Sequence, residues 1–114
     1  MAVPARNVVP LPPELPIEYG ALVEPLVVGY HAAVRGRVGP EDRVLVVGGV
    51  PIGQACALAA RRLGAARVAV SEMSAGRREL VAALGFAAVD PDSGDVVALA
   101  AESLGGPRRA PPVI

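Results

Sequence analysis

In the segment Arg43-Val44-Leu45-Val46-Val47 the four residues after the arginine are an unbroken apolar run, and Gly48-Gly49-Val50-Pro51-Ile52-Gly53 follows it directly. Few folds accept that order. An apolar, β-branched run without polar alternation reads as a strand covered on both faces. Beyond the glycines, Ile52, Cys56, Ala59 and Leu63 fall on one helical face, and Gly64 stands where a helix would end. A buried strand, a Gly-rich turn and a helix in this order predict a parallel sheet with right-handed crossover helices.

The alternation then repeats. Arg67-Val68-Ala69-Val70-Ser71 reads as a second strand ending at Glu72. Ser74 is placed to cap a helix carrying Leu80, Val81 and Leu84, which stops at Gly85. Phe86-Ala87-Ala88-Val89 reads as a short third strand, and Ser93 as the cap of a last helix through Val96, Leu99, Ala100 and Leu104. The expectation is an α/β fold: a partial Rossmann, or doubly wound parallel sheet, of about three strands. Its spatial order is third, second, first, with helices on both faces.

Proline placement divides the rest. Pro4, Pro10, Pro12, Pro13 and Pro16 make residues 1–16 an extended segment. Residues 17–39 read as a helical linker region, helix from about Ile17 to Arg35, interrupted near Pro25 and ended by Gly36, Gly39 and Pro40. Residues 40–106 form the half Rossmann unit, and 107–114, with three prolines, an irregular tail.

Composition supports this packing and narrows the partners. The chain is 53% hydrophobic but 3% aromatic, so Ala, Val and Leu must build the core. Eleven basic and eleven acidic residues balance to zero, which gives no reason to expect nucleic acid or an anionic membrane as a partner. The single Cys56 excludes an internal disulfide and a multi-cysteine metal cluster. No apolar run reaches the roughly 18 residues of a membrane span. The N-terminus lacks the pattern of a secretory signal, so a cytoplasmic location is expected.

The glycine turn carries the chemistry. In a dinucleotide fold the first glycine permits a tight turn and the last permits close packing of helix on strand. The helix N-terminus offers free N–H groups to a pyrophosphate. Gly48 and Gly53 occupy those two places, and Pro51 suits a first helical turn. Such folds place an acid about 20 residues on, to accept from the ribose hydroxyls. Glu72 stands 19 positions after Gly53. The departure is Val50, which occupies the middle-glycine place and could obstruct a phosphate. The alternative is a turn that merely joins strand to helix.

Two stretches go further. Val3-Pro4-Ala5-Arg6-Asn7-Val8-Val9-Pro10-Leu11-Pro12 and Ala21-Leu22-Val23-Glu24-Pro25-Leu26-Val27-Val28-Gly29-Tyr30-His31-Ala32 together resemble the zinc-containing medium-chain dehydrogenases, in the branch of the 2,3-butanediol, sorbitol and threonine enzymes. Gly49 to Gly53 and Val70 to Leu80 are similar to the cofactor region of that branch. The resemblance implies an NAD-binding portion of an alcohol or polyol dehydrogenase. Gly48, Val50, Pro51, Ile52 and Gly53 would lie at the pyrophosphate, Glu72 at the adenosine ribose, and Arg77 beside it. An acid at 72 implies NAD over NADP, since it would repel a 2′-phosphate. Glu24 matches a glutamate at or near the catalytic zinc, but the other ligands belong to a domain not represented in this chain. No catalytic residue is assigned, and the expected behaviour is cofactor binding without turnover.

Other residues read as structural. His31 is expected to be a packing residue of the helix, and Cys56 a small buried hydrophobe. Arg61-Arg62 and Arg78 read as solvated helix faces, and Asp90, Asp92 and Asp95 as turn and cap residues. The first strand, lacking its usual neighbour, is expected to leave an apolar edge open to self-association. A non-catalytic nucleotide-binding or interaction module is the competing reading.

Overall fold

A computed structural model describes residues 1–106. The tail expected at 107–114 lies outside them. Three parallel strands, β1 (Arg43–Val47), β2 (Arg67–Ser71) and β3 (Ala87–Val89), lie in the order β1-β2-β3. Read from the far edge, that is third, second, first, as the crossover argument requires. Register pairs Val44 with Val68, Val46 with Val70, and Val70 with Ala88. Helix α1 (Val23–Arg35) precedes the sheet, while α2 (Pro51–Arg62) and α3 (Ala75–Ala83) cross between strands and α4 (Val96–Ser103) follows β3.

Alternation along the strands feeds two separate cores. Val44, Val46 and Val70 pack with Cys56, Ala57 and Ala60 of α2 and Val81 of α3. Leu45, Ala69 and Val89 face the other way, onto Ala100 of α4 and Leu104 at its end. A strand covered on both sides needs apolar residues in both phases, which is why Arg43–Val47 shows no polar alternation. Small side chains bring the helices close. A Cβ on Gly29 of α1 would stand 2.5 Å from the Ala55 carbonyl carbon of α2.

Several local expectations need correction. The upstream helix is not broken at Pro25. The chain forms a 3-10 helix over Ile17–Leu22 and becomes α-helical at Val23. Pro25 therefore falls in the first turn of α1, where a missing N–H costs nothing. The cap of α4 is not Ser93 but Asp95, whose Oδ1 accepts from the Val97 and Ala98 N–H groups at 2.8 and 3.3 Å. Ser93 ends a 3-10 turn, Pro91–Ser93, and donates its hydroxyl to the Asp90 carbonyl. Ser74 does cap α3, accepting from the Arg77 N–H at 3.5 Å. His31 is exposed, not packed, whereas Cys56 is buried and burial pushes its thiol pKa up.

The edge strand also differs from expectation. β1 does end the sheet, but Val44, Leu45 and Val46 expose no more than 5% of their surface. Only Val47 is open to solvent. The apolar surface expected along that edge is absent, because its side chains serve the two cores.

Candidate nucleotide site

The turn after β1 is shaped by two glycines. Gly48 has φ +100°, a conformation L side chains rarely adopt, and its N–H donates to the Ser71 carbonyl at 2.7 Å. The chain then folds back so closely that a Cβ on Gly53 would lie 1.8 Å from the Gly48 carbonyl oxygen. Between them, Val50 takes ordinary extended angles, φ −67° and ψ 168°, as the N-cap of α2. Its backbone therefore does not require glycine. Its side chain is 45% exposed at the mouth of the turn. No side chain caps α2, and Pro51 opens the helix, leaving first-turn N–H groups free of protein side chains.

Glu72 follows β2 and turns back toward this loop. Its Oε2 accepts from the Gly49 N–H at 2.8 Å, and its Oε1 accepts from the Ser74 N–H and from Arg77 Nη2, each at 2.8 Å. The carboxylate is 5% exposed, while Arg77 is 45% exposed. The Arg77 hydrogen bond, then those from Ser74 and Gly49, hold the Glu72 carboxyl well below its ordinary range, at about 2. The same pair raises the Arg77 guanidinium. A carboxylate has about four acceptor positions. Three are taken, and the open one is on Oε2.

Residue placement can now be compared with the sequence. Gly48, Val50, Pro51, Ile52 and Gly53 form one turn at the C-terminal end of β1, and Glu72 and Arg77 meet beside it. Glu24 is exposed in the first turn of α1. Sequence reasoning missed four participants. The Gly49 amide binds the acid directly. Gln54 Nε2 donates to the Gly49 carbonyl at 2.7 Å. Arg78 is no solvated helix face: Nη1 donates to the Glu72 and Met73 carbonyls, and Nη2 pairs with Asp90 at 2.7 Å. Asp90 is thus a salt-bridge partner as well as a turn cap, accepting from the Asp92 N–H. Arg61 is exposed, as expected of a helix face in solvent, and also lies over the Phe86 ring at 4.6 Å and donates to the Leu84 carbonyl. Nothing in the spacing signals these, because they span different elements.

A cavity of about 390 Å³ opens at the same end of the sheet. Val47, Gly48, Ser71, Glu72, Met73 and Pro91 line it. Among the described residues no three His, Cys, Asp or Glu side chains gather as metal ligands, and no helix is long and apolar enough to cross a membrane.

Known proteins resemble this chain in sequence and fold. The chain is 41% identical over 96 residues to a 2-dehydro-3-deoxy-L-galactonate 5-dehydrogenase of Pseudoalteromonas atlantica, matching 84% of this chain and 28% of that protein. It is 51% identical over 67 residues to the sorbitol dehydrogenase of Macaca fascicularis, 59% of this chain and 19% of that one. The 2R,3R-butanediol dehydrogenase structure from Bacillus subtilis superposes with a TM-score of 0.74 at 39% identity, over 84% of this chain and 28% of that chain. A zinc-binding dehydrogenase structure from Sinorhizobium meliloti, bound to NADP, gives 0.78 at 34% identity over 83% and 28%. No protein-family profile matches. The chain thus spans under a third of the length of these relatives. In sequence and in fold the chain is similar to one segment of these dehydrogenases, matching part of their Rossmann-like unit.

Proposed function

We propose that this chain binds the adenosine and pyrophosphate half of NAD, as the nucleotide-binding portion of a zinc-dependent alcohol or polyol dehydrogenase. The observation that carries the reading is the turn itself. Gly48 and Gly53 close it, and the uncapped first turn of α2 presents N–H groups to an anion. A Cβ on Gly48 would meet nothing within 4 Å, so its outer side has room for a ligand. The cavity bounded by Val47, Met73 and Pro91 offers apolar walls to a flat base. Glu72 keeps one acceptor position for a ribose hydroxyl, and half-exposed Arg77 can yield another. The Glu72 charge favours NAD over NADP.

Held by Gly48, Gly53 and Glu72, NAD would supply a hydride acceptor for a secondary alcohol such as 2,3-butanediol. This chain's own residues hold the nucleotide end. Among the described residues no companion ligands gather with the exposed Glu24, so no step is assigned to a metal here. The isolated chain is accordingly expected to bind without turnover. A non-catalytic module is favoured by one observation, the engagement of three of the Glu72 acceptor positions within the protein. Calorimetry with NAD and NADP tests the reading. Weak NAD binding that exceeds NADP binding is expected, and equal or stronger NADP binding would overturn the role of Glu72.

A further inference from the structure

Two adjacent arginines of α3 hold different parts of one residue. Arg77 pairs with the Glu72 carboxylate, whereas Arg78 Nη1 donates to the Glu72 carbonyl at 2.9 Å and to the Met73 carbonyl. Arg78 Nη2 also meets Asp90 Oδ2 at 2.7 Å, just after β3. The Arg78 side chain is 22% exposed, against 45% for Arg77. A planar guanidinium with its fixed fork of N–H donors can make such bonds to several partners from one stem. Among the described residues, Arg78 is the only side chain bonded both to the loop after β2 and to the loop after β3.

Both loops contribute to the cavity beside Gly48. Glu72 and Met73 line it from one loop and Pro91 from the other, while Arg78 is not among its lining residues. Arg78 also acts on the direction of a peptide. A trans peptide points its C=O and its N–H in opposite directions. The Met73 carbonyl turned to Arg78 therefore turns the Ser74 N–H the other way, where it donates to Glu72 Oε1 at 2.8 Å. At the far end, Asp90 Oδ1 accepts from the Asp92 N–H at 3.0 Å and the Asp90 carbonyl accepts from the Ser93 hydroxyl, so the turn holding Pro91 is tied to the same guanidinium. We infer that Arg78 is a positioning residue of the nucleotide site: it clamps together the two loops that wall the base cavity and sets the Glu72 carboxylate through the Ser74 peptide, without touching the nucleotide. The inference rests on the nucleotide reading proposed above. It concerns the base and ribose end, because Arg78 makes no bond to the turn from Gly48 to Gly53.

Nitrogen–proton NMR titrations of the full chain with NAD and with adenosine test this. Arg78→Met keeps the apolar stem and removes every donor, and should weaken both ligands about tenfold through lost preorganisation. Arg78→Lys, with three donors on one ammonium, should recover most of that loss. Asp90→Asn can still accept from the Asp92 N–H but loses the ion pair, and should weaken adenosine about threefold. With NAD at saturation, the Arg78→Met shifts at Ile52 and Gly53 should match the wild type, while those at Met73 and Ser74 should differ. Wild-type affinity in Arg78→Met, or saturation shifts that match throughout, would overturn the positioning role and leave the nucleotide reading standing. Unchanged adenosine affinity in Asp90→Asn would overturn the clamp between the loops even where Arg78→Met does not fold. A wild type that binds neither NAD nor adenosine would overturn the nucleotide reading and this inference with it.

Discussion

Gly53→Ala is the sharpest perturbation of the turn. The added methyl would sit 1.8 Å from the Gly48 carbonyl oxygen and 2.9 Å from its carbon, with Val46 Cγ1 at 3.6 Å. Comfortable non-bonded separations are roughly 3.5 Å or more. The obstacle is backbone and cannot rotate away, so the turn must open or α2 must shift from β1. Overpacking costs typically about 1–3 kcal/mol, and a backbone clash belongs at or above the top of that range. Against a total stability of order 5–15 kcal/mol, that is a large fraction. One kcal/mol moves Tm by roughly 4–8 °C in a domain of this size, so a fall of about 10 °C or more is expected. Gly76→Ala is the control. Gly76 lies in α3 with nothing within 4 Å of its Cβ, and replacement should stabilise by about 0.5–1 kcal/mol. Thermal and urea unfolding of both variants decides the matter. A Gly53→Ala protein as stable as the wild type would refute the close approach of Gly48 and α2.

Two further outcomes follow from the site. The folded-state pKa of Glu72 lies below its ordinary value, so its ion pair and hydrogen bonds stabilise the fold above about 4.5 and are lost as pH falls toward about 2. Acid titration of stability should show this loss in the wild type and not in Glu72→Gln, and identical profiles would dismiss the carboxylate's role. Val50→Gly should tighten NAD binding about tenfold, or ~1.4 kcal/mol, if the exposed valine obstructs the pyrophosphate. No gain by calorimetry would place the limit on affinity elsewhere.

Much of the fold was legible because one-dimensional patterns carried it. The Arg43–Val47 run, the glycine turn and the repeat at Arg67–Ser71 specify parallel strands through burial and crossover handedness. Ser74 was readable as a cap, but Ser93 was not distinguishable from Asp95 two residues later, since both types cap helices. The site was legible only in outline. Gly48, Gly53 and Glu72 follow from spacing. The contact of Glu72 with the Gly49 amide, and the Arg78 bridge to Asp90, depend on side-chain reach across elements that no local pattern encodes. The run of β1 reads as covered on both faces, and it is; its edge, expected to be open for want of a neighbouring strand, is buried at Val44, Leu45 and Val46.

The central claim is that the turn between β1 and α2 receives a pyrophosphate beside Glu72. A nitrogen–proton NMR titration of the full chain with NAD tests it residue by residue. The account predicts the largest shifts at the amides of Gly49, Ile52, Gly53 and Ser74, with weaker effects across β3 and none along α1. Shifts absent from that turn at saturating NAD, or concentrated on α1, would contradict it.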